Sequence, residues 1–306
     1  MIEVLLTSTS FQDQKGPHLT RLMSDKRFKV ISKRGPLKEA ELKPLVSQFD
    51  AILCGDDEYT REILSLCKGR LKVLSKYGVG LDKIDLKAAK EFGIPVRSCA
   101  GVNSKSVAEH VFALLLFGAK NMEASVASVR KYDWTRPIGF DLVEKKLLIV
   151  GYGNIGKEVA KRALGFEMKV SVLDPMAKST DSFHRFEDLK EAFQWADVVS
   201  LHCPMTEQTK GMINLSLLQN VQNLTLINTA RGGLVVEKDI IEALSKGHLR
   251  NYLADVLQTE PIEPSSPFPK DPKAVVTPHI GSRTTDNIFK QGMMALENMY
   301  EELGLE

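Results

Sequence analysis

Three polar residues in the second half of this chain each follow an apolar run that reads as a β-strand. Arg231 follows Leu224–Asn228 in Asn228-Thr229-Ala230-Arg231-Gly232-Gly233. His279 follows Ala274–Thr277 in Thr277-Pro278-His279-Ile280-Gly281, and Glu260 lies shortly beyond Asn251–Asp255. A guanidinium can hold a carboxylate through two parallel hydrogen bonds. An imidazole is the usual proton donor to an oxygen gaining negative charge. A carboxylate on its other nitrogen fixes the tautomer and favours the charged ring. Taken singly, each residue has a bland reading: a surface ion pair, a structural histidine, a solvated glutamate. Together at the strand ends of one α/β unit, where open sheets bind their ligands, they form a candidate acid–base and anion-binding set.

The elements that must position them start at Lys146–Val150. This strand runs straight into Gly151-Tyr152-Gly153-Asn154-Ile155-Gly156, and Lys157–Leu164 then carries apolar residues at helical spacing. Eighteen residues beyond Gly156 a second apolar run, Met168–Leu173, ends at Asp174. Strand, glycine turn, helix, strand and terminal acid in this order spell a dinucleotide site. Gly151 makes the tight turn, Gly153 admits a pyrophosphate, Gly156 lets the helix pack on the strand, and the helix N-terminus offers free N–H groups. A carboxylate at 174 suits the free 2′-hydroxyl of NAD and repels the 2′-phosphate of NADP, so NAD is the expected cofactor.

Further strands are expected at Lys169–Leu173 and Val198–His202, with helices at Phe186–Trp195, Leu215–Asn220 and Glu237–Lys246. The five prolines of Thr259–Pro272 demand an extended connection. The first hundred residues alternate in the same way. Strands are expected at Ile2–Thr7, Phe28–Ile31, Asp50–Cys54, Leu71–Ser75 and Pro95–Arg97, with helices at Leu37–Gln48, Glu58–Cys67 and Leu86–Phe92. Ser104–Asn121 reads as one long apolar helix to be buried against a second domain or subunit. An irregular arm, Tyr132–Phe140, comes next, and its Trp134 and Phe140 need cover. Thr284–Leu303 reads as a final amphipathic helix.

At 306 residues the length suits about two domains. With 43% hydrophobic and 26% charged residues, each can bury a full core. A net charge of +2, spread without long runs, points away from a nucleic-acid partner. The longest mainly apolar stretch, Val107–Ala119, contains Glu109 and His110 and is too short to span a bilayer. Cys54, Cys67, Cys99 and Cys203 lack metal-site spacing and read as reduced thiols, so no metal is expected and the expected compartment is the cytoplasm.

The chain closely resembles the D-isomer-specific 2-hydroxyacid dehydrogenases over nearly its whole length. The matching stretches are Lys76–Asp85, Asn103 with Ser106–His110, GYGNIGKEVA at 151–160, Ala196–Pro204, Leu226–Gly233, Ala254–Val256, Glu260-Pro261 and Thr277–Gly281. The resemblance implies two doubly wound parallel-sheet α/β domains. A Rossmann NAD-binding domain (100–282) would be inserted into a flavodoxin-like substrate domain (1–99 plus 283–306), with the catalytic cleft between them. It implies that Arg231 binds the substrate's carboxylate and carbonyl, His279 is the acid/base, and Glu260 pairs with His279. Asp255 would hold the nicotinamide carboxamide. Gly151, Gly153, Asn154, Ile155, Gly156, Asp174, Cys203, Pro204, Thr229, Ala230, His279 and Gly281 would surround NAD. The backbone of Val79 and Gly80, with Lys76 and Asn103, would meet the small 2-hydroxy or 2-oxo acid. A homodimer through the NAD-binding domain is the implied assembly.

Lys76 is the clue to substrate, because this position in the family is often basic when the substrate carries a phosphate. The chain is most similar here to short 3-phosphoglycerate dehydrogenases without regulatory domains, which would place it in serine synthesis. Glyoxylate/hydroxypyruvate reductase and D-lactate dehydrogenase activities stay open, as does a solvated, idle Lys76. Formate dehydrogenase is disfavoured, since Glu260 stands where that branch has glutamine. An NAD-gated, peptide-binding corepressor of the same fold is the alternative from another class.

Overall fold

Runs of aliphatic residues four to six long, bounded by glycine, proline or acidic residues, form most of the strands. Every pairing between strands is parallel. A parallel sheet is covered on both faces, so its strands read as continuous apolar runs, as Ala51–Cys54 and Leu224–Asn228 do. The computed structural model describes residues 1–305. It divides into two units: Met1–Asn103 with the chain from Arg283 onward, and Ser104–Ser282.

The first unit holds β1 (Ile2–Leu6), β2 (Phe28–Ser32), β3 (Ala51–Cys54), β4 (Val73–Lys76) and β5 (Val96–Ser98), in the order β2-β1-β3-β4-β5. This is the flavodoxin-like order, whose switch point lies between β1 and β3. Its two faces are packed separately. Leu5, Ile52, Leu74 and Tyr59 lie on one side, and Val4, Leu53, Val73 and Phe11 on the other. The final helix, Thr285–Glu302, starts at Thr284, whose hydroxyl accepts the Asn287 N–H at 3.2 Å. It buries Ala295, Leu296 and Met299 against this second face.

The second unit holds β6 (Lys146–Val150), β7 (Lys169–Leu173), β8 (His184–Arg185), β9 (Val198–Leu201), β10 (Leu224–Asn228), β11 (Leu249–Ala254) and β12 (Ala274–Val276). They are ordered β12-β11-β10-β9-β6-β7-β8. This is the Rossmann order with one added edge strand, and its switch point lies between β6 and β9. The two-residue β8 was not expected; a strand that short leaves no periodicity to read.

Several expected elements differ from those observed, each for a local reason. The helix expected over Leu37–Gln48 breaks into Glu39–Leu42 and a 3₁₀ turn at Val46–Gln48, because Pro44 has no N–H to continue the ladder. Helices at Thr9–Asp13 and Pro17–Ser24 were not expected. The helix over Ser104–Ala119 ends before Asn121, whose φ of 48° starts a second helix, Met122–Arg130, bent from the first by 62°. The first of these two helices buries Val111, Phe112 and Leu115 inside the second unit's own core, with Phe112 stacked on Phe166 at 5.0 Å. Leu115→Ala would therefore cost about 2–5 kcal/mol. No single helix among the described residues is long and apolar enough to cross a membrane.

Candidate active site

The glycine turn lies at the switch point of the second sheet. Gly151 has φ +97°, and a Cβ on it would stand 2.5 Å from the Cys203 nitrogen. A Cβ on Gly156 would stand 2.2 Å from the Gly151 carbonyl oxygen. These two glycines are therefore required by the protein's own packing. Gly153 is not: a Cβ there would meet nothing within 4 Å. The space over the turn stays open at the N-terminus of Asn154–Gly165, a helix that buries Val159, Ala160 and Ala163 along one face. Asp174, at the end of β7, accepts the Tyr152 N–H at 2.7 Å on one oxygen and the Met176 N–H at 2.8 Å on the other. Each oxygen retains a lone pair for a further donor.

Two orphaned polar atoms lie beyond the neighbouring strands. Thr229 Oγ1, after β10, and His202 Nδ1, after β9, are both buried without a hydrogen-bond partner. Buried polar atoms are normally paired, so each marks a place where a polar ligand atom fits. His202 Nε2 bonds the Ser200 hydroxyl at 2.8 Å, and burial pushes its pKa down to about 3, leaving it neutral. Burial pushes the Cys203 thiol up to about 11, so it stays protonated. Open space at Gly153, the helix N-terminus, Asp174 and Thr229 together fit a dinucleotide. NAD, when bound, would supply or accept hydride.

Arg231 is set by its neighbours. The Asn228 side chain, fully buried at the end of β10, donates to the Arg231 carbonyl at 2.9 Å and accepts the Ala230 N–H at 3.1 Å. It thereby shapes the Thr229–Arg231 turn. A Cβ on Gly232 would stand 1.9 Å from the Leu257 carbonyl carbon, so this turn and the loop bearing Glu260 touch backbone to backbone. Arg231 Nη1 donates to the Ala230 carbonyl at 2.7 Å.

His279 and Glu260 meet. Nδ1 of the imidazole lies 2.7 Å from Glu260 Oε2, while Oε1 accepts the Leu257 N–H at 2.9 Å. Burial pushes the Glu260 carboxyl up, but these two hydrogen bonds and the imidazole's charge outweigh it, holding it below the ordinary glutamate range. The carboxylate is thus charged at neutral pH. His279 is half exposed, so its ring is accessible. Its backbone sits at φ 54°, a conformation few non-glycine residues adopt. The His279 N–H donating to the Asp255 carbonyl at 3.0 Å holds it there.

Asp255 is committed to the same loop. Its carboxylate accepts the Thr277 hydroxyl at 2.5 Å, the Ile280 N–H at 2.9 Å and the Gly281 N–H at 2.7 Å. His110 Nε2 stands 3.3 Å from it and 2.9 Å from the Thr277 hydroxyl. Burial pushes the Asp255 carboxyl up, yet the bonds from His110, Thr277 and the two amides prevail and hold it low. Sequence reasoning missed Asn228 and Thr277 as positioning residues. It read His110 as structural, and the structure ties it to the loop that carries His279.

In the first unit, Lys76 ends β4 with its side chain only 5% exposed, so the solvated reading is corrected. Its Nζ donates to the Gly55 carbonyl and to Asp56 Oδ1, each at 2.5 Å. Val79 is partly exposed in the turn beyond it. Asp57 is fully buried and ties three loops. It accepts the Thr7 hydroxyl at 2.5 Å, the Leu37 N–H at 2.7 Å and the Gly55 N–H at 3.1 Å.

Known proteins resemble this chain over most of its length. The family model for the D-isomer specific 2-hydroxyacid dehydrogenase NAD binding domain matches residues 112–281. Hydroxypyruvate reductase of Thermotoga maritima is 33% identical over 292 residues, covering 93% of this chain and 94% of that protein. D-3-phosphoglycerate dehydrogenase of Bacillus subtilis is 32% identical over 295 residues, covering 94% of this chain but 54% of that longer protein. Among solved structures, the TT0316 protein from Thermus thermophilus superposes with a TM-score of 0.91 and 36% identity, covering 100% of this chain and 98% of that one.

Proposed function

The chain belongs to the D-isomer-specific 2-hydroxyacid dehydrogenases, NAD-dependent oxidoreductases, and from that membership we propose that it interconverts a small 2-oxo acid and its D-2-hydroxy acid. Arg231 holds the acid's carboxylate and polarises its carbonyl. His279, held at Nδ1 by Glu260 at 2.7 Å, gives a proton from Nε2 to the oxygen as hydride reaches C2. In the reverse direction the same nitrogen takes the hydroxyl proton, and Glu260 stabilises the resulting imidazolium. Positioning, and positive charge preset where the oxygen becomes negative, supply much of the rate. The dyad is the observation that carries this reading.

For NAD, the proposal assigns the pyrophosphate to the Gly151–Gly156 turn with Asn154 and Ile155, and the adenosine ribose to Asp174. Cys203, Pro204, Thr229, Ala230, Asp255 and Gly281 would line the rest. In the first unit it assigns anion binding to the N–H groups of Val79 and Gly80, with Asn103 nearby. Tyr132, Trp134 and Ile138 of the arm are 101%, 77% and 94% exposed. Their exposure supports a homodimer in which a second copy covers them. Phe140 does not need that cover, since the Arg250 guanidinium lies 4.6 Å over its ring.

The phosphorylated acid, 3-phosphohydroxypyruvate, was expected on Lys76. That lysine already has a counterion in Asp56, and the relative of matching length is named a hydroxypyruvate reductase. Both facts support unphosphorylated hydroxypyruvate or glyoxylate as the substrate. The test is NADH oxidation by the purified protein with hydroxypyruvate, glyoxylate and 3-phosphohydroxypyruvate side by side. Turnover of any of them supports the proposed reaction; no turnover with these or with pyruvate overturns it.

A further inference from the structure

We propose that Asp56 is a specificity-determining residue, a built-in counter-anion on Lys76 that turns away substrates with a phosphate at their far end. The inference rests on the reading that this chain reduces 2-oxo acids.

The observations lie within the first unit. Lys76 has three N–H donors, and two are taken, by the Gly55 carbonyl and by Asp56 Oδ1. The Lys76 side chain is almost wholly buried, whereas the Asp56 side chain is 80% exposed. The lysine's charge is therefore neutralised from the solvent side, the side from which a ligand would approach. The lysine also lies beside the glycine turn, because a Cβ on Gly78 would be 3.6 Å from Nζ. A phosphate drawn to Lys76 must share it with a carboxylate and a carbonyl oxygen, two groups that repel it. Like charges juxtaposed in this way are a common device against a wrong partner.

Asp56 stands on a fixed stretch of backbone. The turn that carries it is pinned by Asp57, whose buried carboxylate holds the Gly55 N–H, the Thr7 hydroxyl and the Leu37 N–H. Asp57 is thus the positioning residue, and Asp56 the one that meets the ligand. A small neutral group such as a hydroxyl would meet no charge repulsion from Asp56, whereas a dianion would.

The test compares wild type with D56N and D56S on hydroxypyruvate and 3-phosphohydroxypyruvate, which differ only in the phosphate. Glyoxylate, which has no far end, serves as reference. The readout is the ratio of kcat/KM for the phosphorylated acid to that for the plain acid. Wild type should favour the plain acid, and both variants should raise the ratio by about tenfold or more, equivalent to about 1.4 kcal/mol. A purely structural ion pair would shift the melting temperature and leave that ratio in place, so thermal melts accompany the kinetics. An unchanged ratio in both folded variants, or a wild type that prefers the phosphorylated acid, overturns the proposal while leaving the reductase reading intact. A wild type inactive on every 2-oxo acid overturns both.

Discussion

Glu260 Oε2 stands 2.7 Å from His279 Nδ1, and the other oxygen of the same carboxylate is fastened to the Leu257 amide. The carboxylate is thereby anchored to its own loop and aimed at the ring, which it holds by Nδ1.

Removing the ring should remove the proton transfer. His279→Ala is expected to lower kcat by about 10²- to 10⁴-fold with little change in NADH affinity measured by fluorescence titration. Activity near the wild-type level would reject the acid/base role.

The pair also sets the pH dependence. Glu260 is held below its ordinary range, so it stays charged through neutral pH and favours the protonated ring. Reduction needs that proton, and its rate falls as pH rises through the histidine's titration. Glu260→Gln should move this falling limb to lower pH. The rising limb for oxidation should move the same way. Limbs that stay in place would mean that the carboxylate only orients the ring.

Asp255 offers a test of stability. It is 3% exposed and its oxygens satisfy a hydroxyl and two amides. Asp255→Asn should cost about 1–3 kcal/mol, because one amide then faces a donor in place of an acceptor. The folded carboxyl is depressed below the ordinary aspartate range. Its contribution is therefore complete above that range and disappears as pH falls through the depressed value. Denaturant melts across acidic pH should show a shallower pH dependence for the variant than for wild type.

Asp174→Ala should lower kcat/KM with NADH and relax the preference over NADPH by about tenfold or more, since the carboxylate disfavours a 2′-phosphate. A preference that stays put would mean that Asp174 serves only the Tyr152 and Met176 amides.

Replacing Tyr132, Trp134 and Ile138 with serine should yield a monomer in analytical ultracentrifugation if a second copy covers them. Wild type sedimenting as a monomer would reject the dimer outright.

Much of this was legible in advance for one physical reason. In a parallel sheet, apolar runs mark the strands, and the residues just beyond each run lie on the ligand-binding edge. Gly151, Arg231 and His279 could be placed on that edge from sequence alone. The Lys76–Asp56 pair could not, because it depends on β3 and β4 lying side by side with Cys54 opposite Lys76. Strand order is a property of the whole sheet. The cradle made by Asn228 was hidden because the last residue of a buried strand reads simply as more strand. His110 lies 167 residues from Thr277, and no local pattern predicts that contact.

Asp57 has a consequence for motion. One carboxylate serves the loops after three different strands, so loosening any one of them removes an acceptor from the others. The amide protons of Leu37 and Gly55, although they belong to surface loops, should exchange with solvent at a common rate, as parts of a single opening event. This edge of the first sheet is then a unit that breathes all at once or not at all.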